Sequence, residues 1–349
     1  MRLRNVMLAA TLPVLLLAGC ASADDETAPG TEEENGSEAA ESTPHGYVEG
    51  AEEAAEPQSR LVLADAATGE IRVLDLITGE ITDVGHAQEP TGIRGDGRYG
   101  YLTAADGSVQ IVDSGAWTVD HGDHAHYYRA AIALGETLPA GTVPYKDTEV
   151  TVADGTVRAP GVDEPCAAPA GTAVTRAGLV LGCADGALLI TAAERESGTE
   201  EAEFTAQRLP YPDGTAEDER AGAFRHRAGS TTLAATAVNG EGFWTLDVLT
   251  GQWEFTADDS VIAVNAVGNG GVVLALTDGG ELLSLDPDSG EEIARTELSG
   301  DSVEVDSSRA YVSDVAGQKV HEIDYADDLR IARTFDLDIA PSHMVETGR

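Results

Sequence analysis

At intervals of nearly forty residues this chain returns to the same phrase, an apolar run that ends in aspartate and, in several copies, breaks into a Thr-Gly or Ser-Gly turn. The copies are Ile71-Arg72-Val73-Leu74-Asp75 before Thr78-Gly79, Val109-Gln110-Ile111-Val112-Asp113, Phe243-Trp244-Thr245-Leu246-Asp247 before Thr250-Gly251, Leu282-Leu283-Ser284-Leu285-Asp286 before Ser289-Gly290, and Val320-His321-Glu322-Ile323-Asp324. Asp75 to Asp113 is 38 residues, Asp247 to Asp286 is 39 and Asp286 to Asp324 is 38. Period-two alternation between Gly-bearing tight turns reads as antiparallel hairpins. One such unit cannot bury its own apolar faces, and a repeat of this length with several short strands is the signature of β-propeller blades. The gap between Asp113 and Asp247 has room for about two further units, for which Thr148 to Ala159 and Gly178 to Ala192 are the candidates. The count gives seven blades, with six or eight as the alternatives. Ring closure is expected from Leu61 to Asp65, completing the last blade beside the strands around Thr334 to Leu337. The fold class is all-β, a single propeller over residues 58–349.

Charge excludes some partners. With 62 Asp and Glu against 21 Lys and Arg among 349 residues, the formal charge is −41. A phosphate backbone is gripped by clustered cations that release its counterions, so nucleic acid is excluded as a partner. Cations are drawn toward such a surface, and its self-repulsion favours a monomer.

The N-terminus reads as an address. Arg2 and Arg4 precede an apolar run from Val6 to Leu17, and Leu17-Ala18-Gly19-Cys20 closes it with small residues before a cysteine. The run is too short for a membrane span and has the form of a secretory signal, residues 1–19. The ending resembles a bacterial lipobox, which implies lipidation of Cys20 and an extracytoplasmic protein held to the cell membrane by its lipid anchor. Residues 20–57 carry many Asp and Glu and no Lys or Arg after Cys20, a composition expected to form a disordered acidic tether. In that compartment Cys166 and Cys183 are expected to form a disulfide. The alternative, a thiolate pair on a metal, lacks the short Cys-x-x-Cys spacing.

Chemistry concentrates in the histidines. Asp120-His121-Gly122-Asp123-His124-Ala125-His126 packs three His and two Asp into seven residues. On an extended segment His124 and His126 project to one face, so both imidazoles can reach one ion, with zinc the natural choice for nitrogen and carboxylate ligands. His121 either joins them or faces away as a recruiter, a role also open to Asp123 and to His45 in the tether. A propeller channel gathers side chains from every blade, so His226 and His343 are candidates to complete the sphere. His86 and His321 read as structural. The bland alternative for such a cluster is a solvated loop with no ligand.

The tether, His45 to Gly50 (His-Gly-Tyr-Val-Glu-Gly), blades of the Val73-Leu74-Asp75-Leu76 kind, the Asp120 to Arg129 stretch and the closing Pro341-Ser342-His343-Met344-Val345-Glu346-Thr347-Gly348 together resemble the AztD-type zinc metallochaperones, from about His45 to the C-terminus. The resemblance implies a secreted β-propeller that binds zinc and hands it to the solute-binding protein of a zinc ABC importer. It also implies His124 and His126 as ligands and strengthens His226 and His343. It departs where the family's N-terminal segment is His-rich and this one is acidic, and where Ala167 to Gly171 holds no His. Two other classes stay open. An enzyme of the quinoprotein or lactonase kind would need a Trp platform or converging carboxylates, whereas Trp117, Trp244 and Trp253 read as packing residues. A lipid-anchored interaction scaffold would need no metal.

Overall fold

A computed structural model describes residues 48–121, 123–146, 148–192 and 203–349; the signal segment, Cys20 and His45 lie outside the described residues. The described chain is almost entirely antiparallel strand. Consecutive strands separated by Gly turns pair as hairpins and then as sheets of three or four. The first sheet orders His343–Thr347, Arg60–Ala64, Glu70–Asp75 and Ile81–His86 from inside outward. Six more follow in chain order, beginning at Pro90–Gly95, Thr142–Tyr145, Thr172–Val174, Thr232–Thr236, Val261–Ala266 and Ser302–Val305. The fifth has three strands, but Ala221 bridges Ala237 and Arg225 bridges Ala234, so residues 221–225 run along its inner edge.

The repeating aspartates have a shared local cause. Asp75, Asp247 and Asp286 each accept, through Oδ1, the backbone N–H groups two and three residues on, closing the turn between a sheet's third and outermost strands. Burial then grades across each sheet. Leu179–Cys183 and Val273–Thr277 are buried at every position because sheets press on both faces, whereas the outermost strand Glu292–Glu297 alternates toward solvent. Both strand candidates between Asp113 and Asp247 are present, as Thr148–Ala153 with Thr156–Ala159 and Leu179–Cys183 with Gly186–Ala192. Cys166 and Cys183 form a buried disulfide that ties the end of the third sheet to the fourth. Trp117, Trp244 and Trp253 are packing residues, each 7% exposed or less.

Two expectations are corrected. Ring closure does not use Thr334 to Leu337: Arg60–Ala64 pairs with His343–Thr347, with Leu61 opposite Glu346 and Leu63 opposite Met344. Arg330–Asp336 is the exposed outer strand of its own sheet, far from the axis. The last residues instead bury Met344 and Val345, so the chain's end returns to the inside of the first sheet. The disorder expected through residue 57 does not extend that far, because Glu52–Ala54 is a strand paired to Ala125–Arg129.

Three polar side chains staple the innermost strands of adjacent sheets. His343 donates from Nε2 to the Pro90 carbonyl (3.0 Å), His226 from Nε2 to the Val174 carbonyl (2.8 Å), and Asn265 from Nδ2 to the Val303 carbonyl (2.9 Å). At the axis, where neighbouring strands splay and no ladder joins one sheet to the next, these bonds satisfy otherwise orphaned carbonyls.

Candidate metal centre

The site is a hairpin inserted between the third and outermost strands of the second sheet. It leaves the sheet at Gly115, whose φ of +67° and close approach to the Ala130 carbonyl exclude a Cβ. Strands Ala116–Asp120 and Ala125–Arg129 then pair in strict register, Trp117 opposite Tyr128 and Val119 opposite His126. One face is anchored: Tyr128 is fully buried and stacks on Trp117 at 5.3 Å, and the Arg98 guanidinium, itself paired with Asp113, lies 3.9 Å over the Trp117 ring. Thr118 donates to the Gly348 carbonyl and Arg176 pairs with Asp120, so the stem is tied to the rim. Glu52–Ala54 adds a third strand along the other edge, with Glu52 paired to Arg129 at 2.8 Å.

The tip gathers imidazoles. His121 donates its backbone N–H to the His124 carbonyl (2.9 Å), which folds the turn back on itself and stacks the His121 and His124 rings at 4.9 Å. His126 meets both edge-on, at 5.4 and 5.1 Å. One ligand nitrogen from each of the three lies within 4.8 Å of the others, the spread a single ion can bridge with small side-chain adjustments. Two carboxylates brace the rings from behind. Asp123 Oδ1 is 2.8 Å from His124 Nδ1 and Glu53 Oε1 is 2.7 Å from His126 Nδ1. A carboxylate accepting the Nδ1 proton fixes the tautomer that presents the Nε2 lone pair, the arrangement metal-bound histidines use. His121 and His124 are exposed and His126 partly so, which leaves the centre open to an incoming ligand.

The structure therefore brings together His121, His124, His126 and Asp123. His226 and His343 lie elsewhere, each with Nε2 committed to a backbone carbonyl. Burial pushes the His226 imidazole down to about 4 and lowers that of His343, so both are held neutral. His86 is an exposed strand end, and His321 bonds Thr334 on an outer strand. Glu53 is the residue sequence reasoning missed. It sits in an acidic run with no local signal, and only the added edge strand, which sets Glu53 opposite Tyr128, carries it to His126.

With the geometry in hand, comparison with known proteins bears on the fold. No family model matches this chain, and no curated protein sequence does. Solved structures do: the chain is a β-propeller of the form seen in AztD from Citrobacter koseri, with a TM-score of 0.64 and 16% identity over 84% of this chain and 99% of that one. An apo structure of the same protein gives the same score and identity over 98% of its length. A Bacteroides fragilis protein provisionally named 6-phosphogluconolactonase shares the propeller at a TM-score of 0.55 and 9% identity, covering 84% of this chain and 98% of that one.

Proposed function

We propose that this chain is an extracytoplasmic zinc metallochaperone, not an enzyme, which carries zinc on the His121-His124-His126 hairpin and delivers it to the solute-binding protein of a zinc ABC importer. The observation that carries the reading is the convergence of three imidazoles at one tip with carboxylates behind two of them. Zinc is the cargo. Three nitrogens and one oxygen, from water or a carboxylate, make a tetrahedral set that holds the ion firmly without thiolates. The sequence resemblance to the AztD-type chaperones supports the same reading, as does the AztD-like propeller.

The placement suits delivery. An exposed tip lets a partner's ligand enter the open position while the chain's own imidazoles leave one at a time, so the ion need not pass through water. The stem, fixed by Trp117, Tyr128 and the Arg176–Asp120 pair, holds the tip still while this occurs. The acidic segment before residue 48 and the lipid on Cys20 would keep the protein at the membrane surface where an importer works. The test is transfer between purified proteins: zinc-loaded chain and metal-free solute-binding protein are mixed with rising amounts of a strong chelator. Direct delivery predicts a transfer rate indifferent to the chelator. A rate that falls in proportion to free zinc contradicts it, and a chain that takes up no zinc at all leaves the scaffold reading in its place.

A further inference from the structure

Below the hairpin, on the face opposite Trp117 and Tyr128, the channel mouth opens as a cavity of about 630 Å³ roofed by Thr118, Asp120, Ala125 and Tyr127. Its wall is cationic in a chain whose net charge is −41. Arg94 comes from the inner strand Pro90–Gly95, and Arg225 and Arg227 from the segment inside the fifth sheet. Arg225 donates from Nη1 to the Ile93 carbonyl, one residue from Arg94, which sets these two arginines side by side.

Their charge is poorly matched by protein carboxylates. Arg94 Nη2 is buried with no hydrogen-bond partner, and its guanidinium rests 4.0 Å over the Tyr101 ring. Arg227 spends Nε and Nη1 on the carbonyls of Val267 and Ala228, which carry no counter-charge. Arg225 Nε makes only a long ion pair with Glu304 Oε1, at 3.6 Å, and that oxygen has no hydrogen-bond partner. Burial raises Glu304 to about 7 and Glu346 to about 8, so near neutrality neither is a full negative charge. The other acids are engaged: Asp96 accepts from the Tyr101 hydroxyl, Asp306 pairs with Arg349, and Asp120 pairs with Arg176. At an open channel mouth, guanidinium forks that the protein's own carboxylates do not fill can take oxygens from a ligand. Val174, Val305, Val345 and Phe224 complete the wall and offer an apolar surface beside the charges.

We infer that this channel mouth binds a small organic oxyanion, a carboxylate or a phosphate, gripped by Arg94, Arg225 and Arg227 with its carbon skeleton against the valines. The cavity volume lies in the range of small-molecule sites, and planar guanidinium forks suit oxyanions. The site is separate from the histidine tip and does not depend on it.

The full chain, stripped of metal, is titrated calorimetrically with succinate and with inorganic phosphate at constant ionic strength, with chloride as the blank. One saturable site per chain is expected for at least one of the two oxyanions, and which one binds tells carboxylate from phosphate. R94M and R227M should each weaken it by about tenfold or more, the scale of losing a charge-assisted bond. R94K, which keeps the charge but not the fork, should fall between R94M and the unaltered chain. Circular dichroism and zinc uptake at the tip report that each variant is folded. No saturable heat with either oxyanion up to about 10 mM, a concentration that would fill a millimolar site, overturns the inference. So does binding that survives unchanged in both folded methionine variants.

Discussion

The histidines at 121, 124 and 126 and those at 226 and 343 meet the protein in opposite ways. The first group stands at the tip of an inserted hairpin, in mutual contact, with Nδ1 of two rings braced by Asp123 and Glu53. The second group is set singly in the channel wall, each Nε2 donating to a carbonyl of the neighbouring sheet. One arrangement leaves lone pairs converging in the open and adds nothing to the ring of sheets. The other spends the imidazole on the fold and keeps it neutral by burial. The contrast lies in the partner of the second nitrogen: a carboxylate on Nδ1 of His124 and His126 leaves the ring suited to a cation, whereas a backbone carbonyl on Nε2 enlists His226 and His343 as structure.

That division can be broken by substitution. Replacing His124 and His126 together with Ala should cost the largest effect, a loss of zinc affinity of about a thousandfold (about 4 kcal/mol), while unfolding in urea shifts by less than about 0.5 kcal/mol. A chromophoric chelator in competition reads the first number. His226→Ala should do the reverse: the Val174 carbonyl loses its donor and a void opens, so stability falls by about 2–4 kcal/mol, with zinc stoichiometry unchanged. Zinc lost in that variant while the fold persists would place His226 in the metal site and dissolve the distinction.

Acid sharpens the comparison further. The His226 imidazole titrates near 4 in the folded chain and near 6.5 when unfolded, so between those values the unfolded state binds the extra proton. Stability from this group is fully present above about 6.5, falls as pH drops toward 4 and is flat below it. Part of the ring borders the cavity, so the loss is at most about 3 kcal/mol. His226→Gln keeps a donor for Val174 without titrating, so the gap in unfolding free energy between the two proteins should close, or reverse, as pH falls from 7 to 4. A gap that stays constant with pH would show that the buried ring is not the titrating group. Smaller still, Glu53→Gln should weaken zinc by about tenfold through a less firmly oriented His126. His86→Ala, on an exposed strand end, should change neither zinc binding nor stability beyond about 0.5 kcal/mol.

Much of this was legible in the sequence, for local reasons. Asp75, Asp247 and Asp286 recur because each caps its own turn two and three residues on, a contact the chain cannot make without showing it in its spacing. His124 and His126 share a face because strands alternate. His121 joined them only because its backbone pairs with His124 across the turn, which alternation does not dictate. The closing strand was misplaced because Thr334 to Leu337 and Met344 to Thr347 are both β-prone, and only burial of Met344 and Val345 distinguishes an inner strand from an outer one. Glu53 and the channel arginines were invisible since their partners lie far along the chain, and nothing in an acidic run or a lone Arg announces what it will face.

Zinc K-edge X-ray absorption on the full chain loaded with one equivalent of zinc tests the central claim most directly. Three imidazole nitrogens and one oxygen, all at about 2.0–2.2 Å, are expected, with the imidazole scattering lost when His124 and His126 are replaced. A spectrum of oxygens alone, or one unchanged in that variant, would place the ion elsewhere and contradict the account.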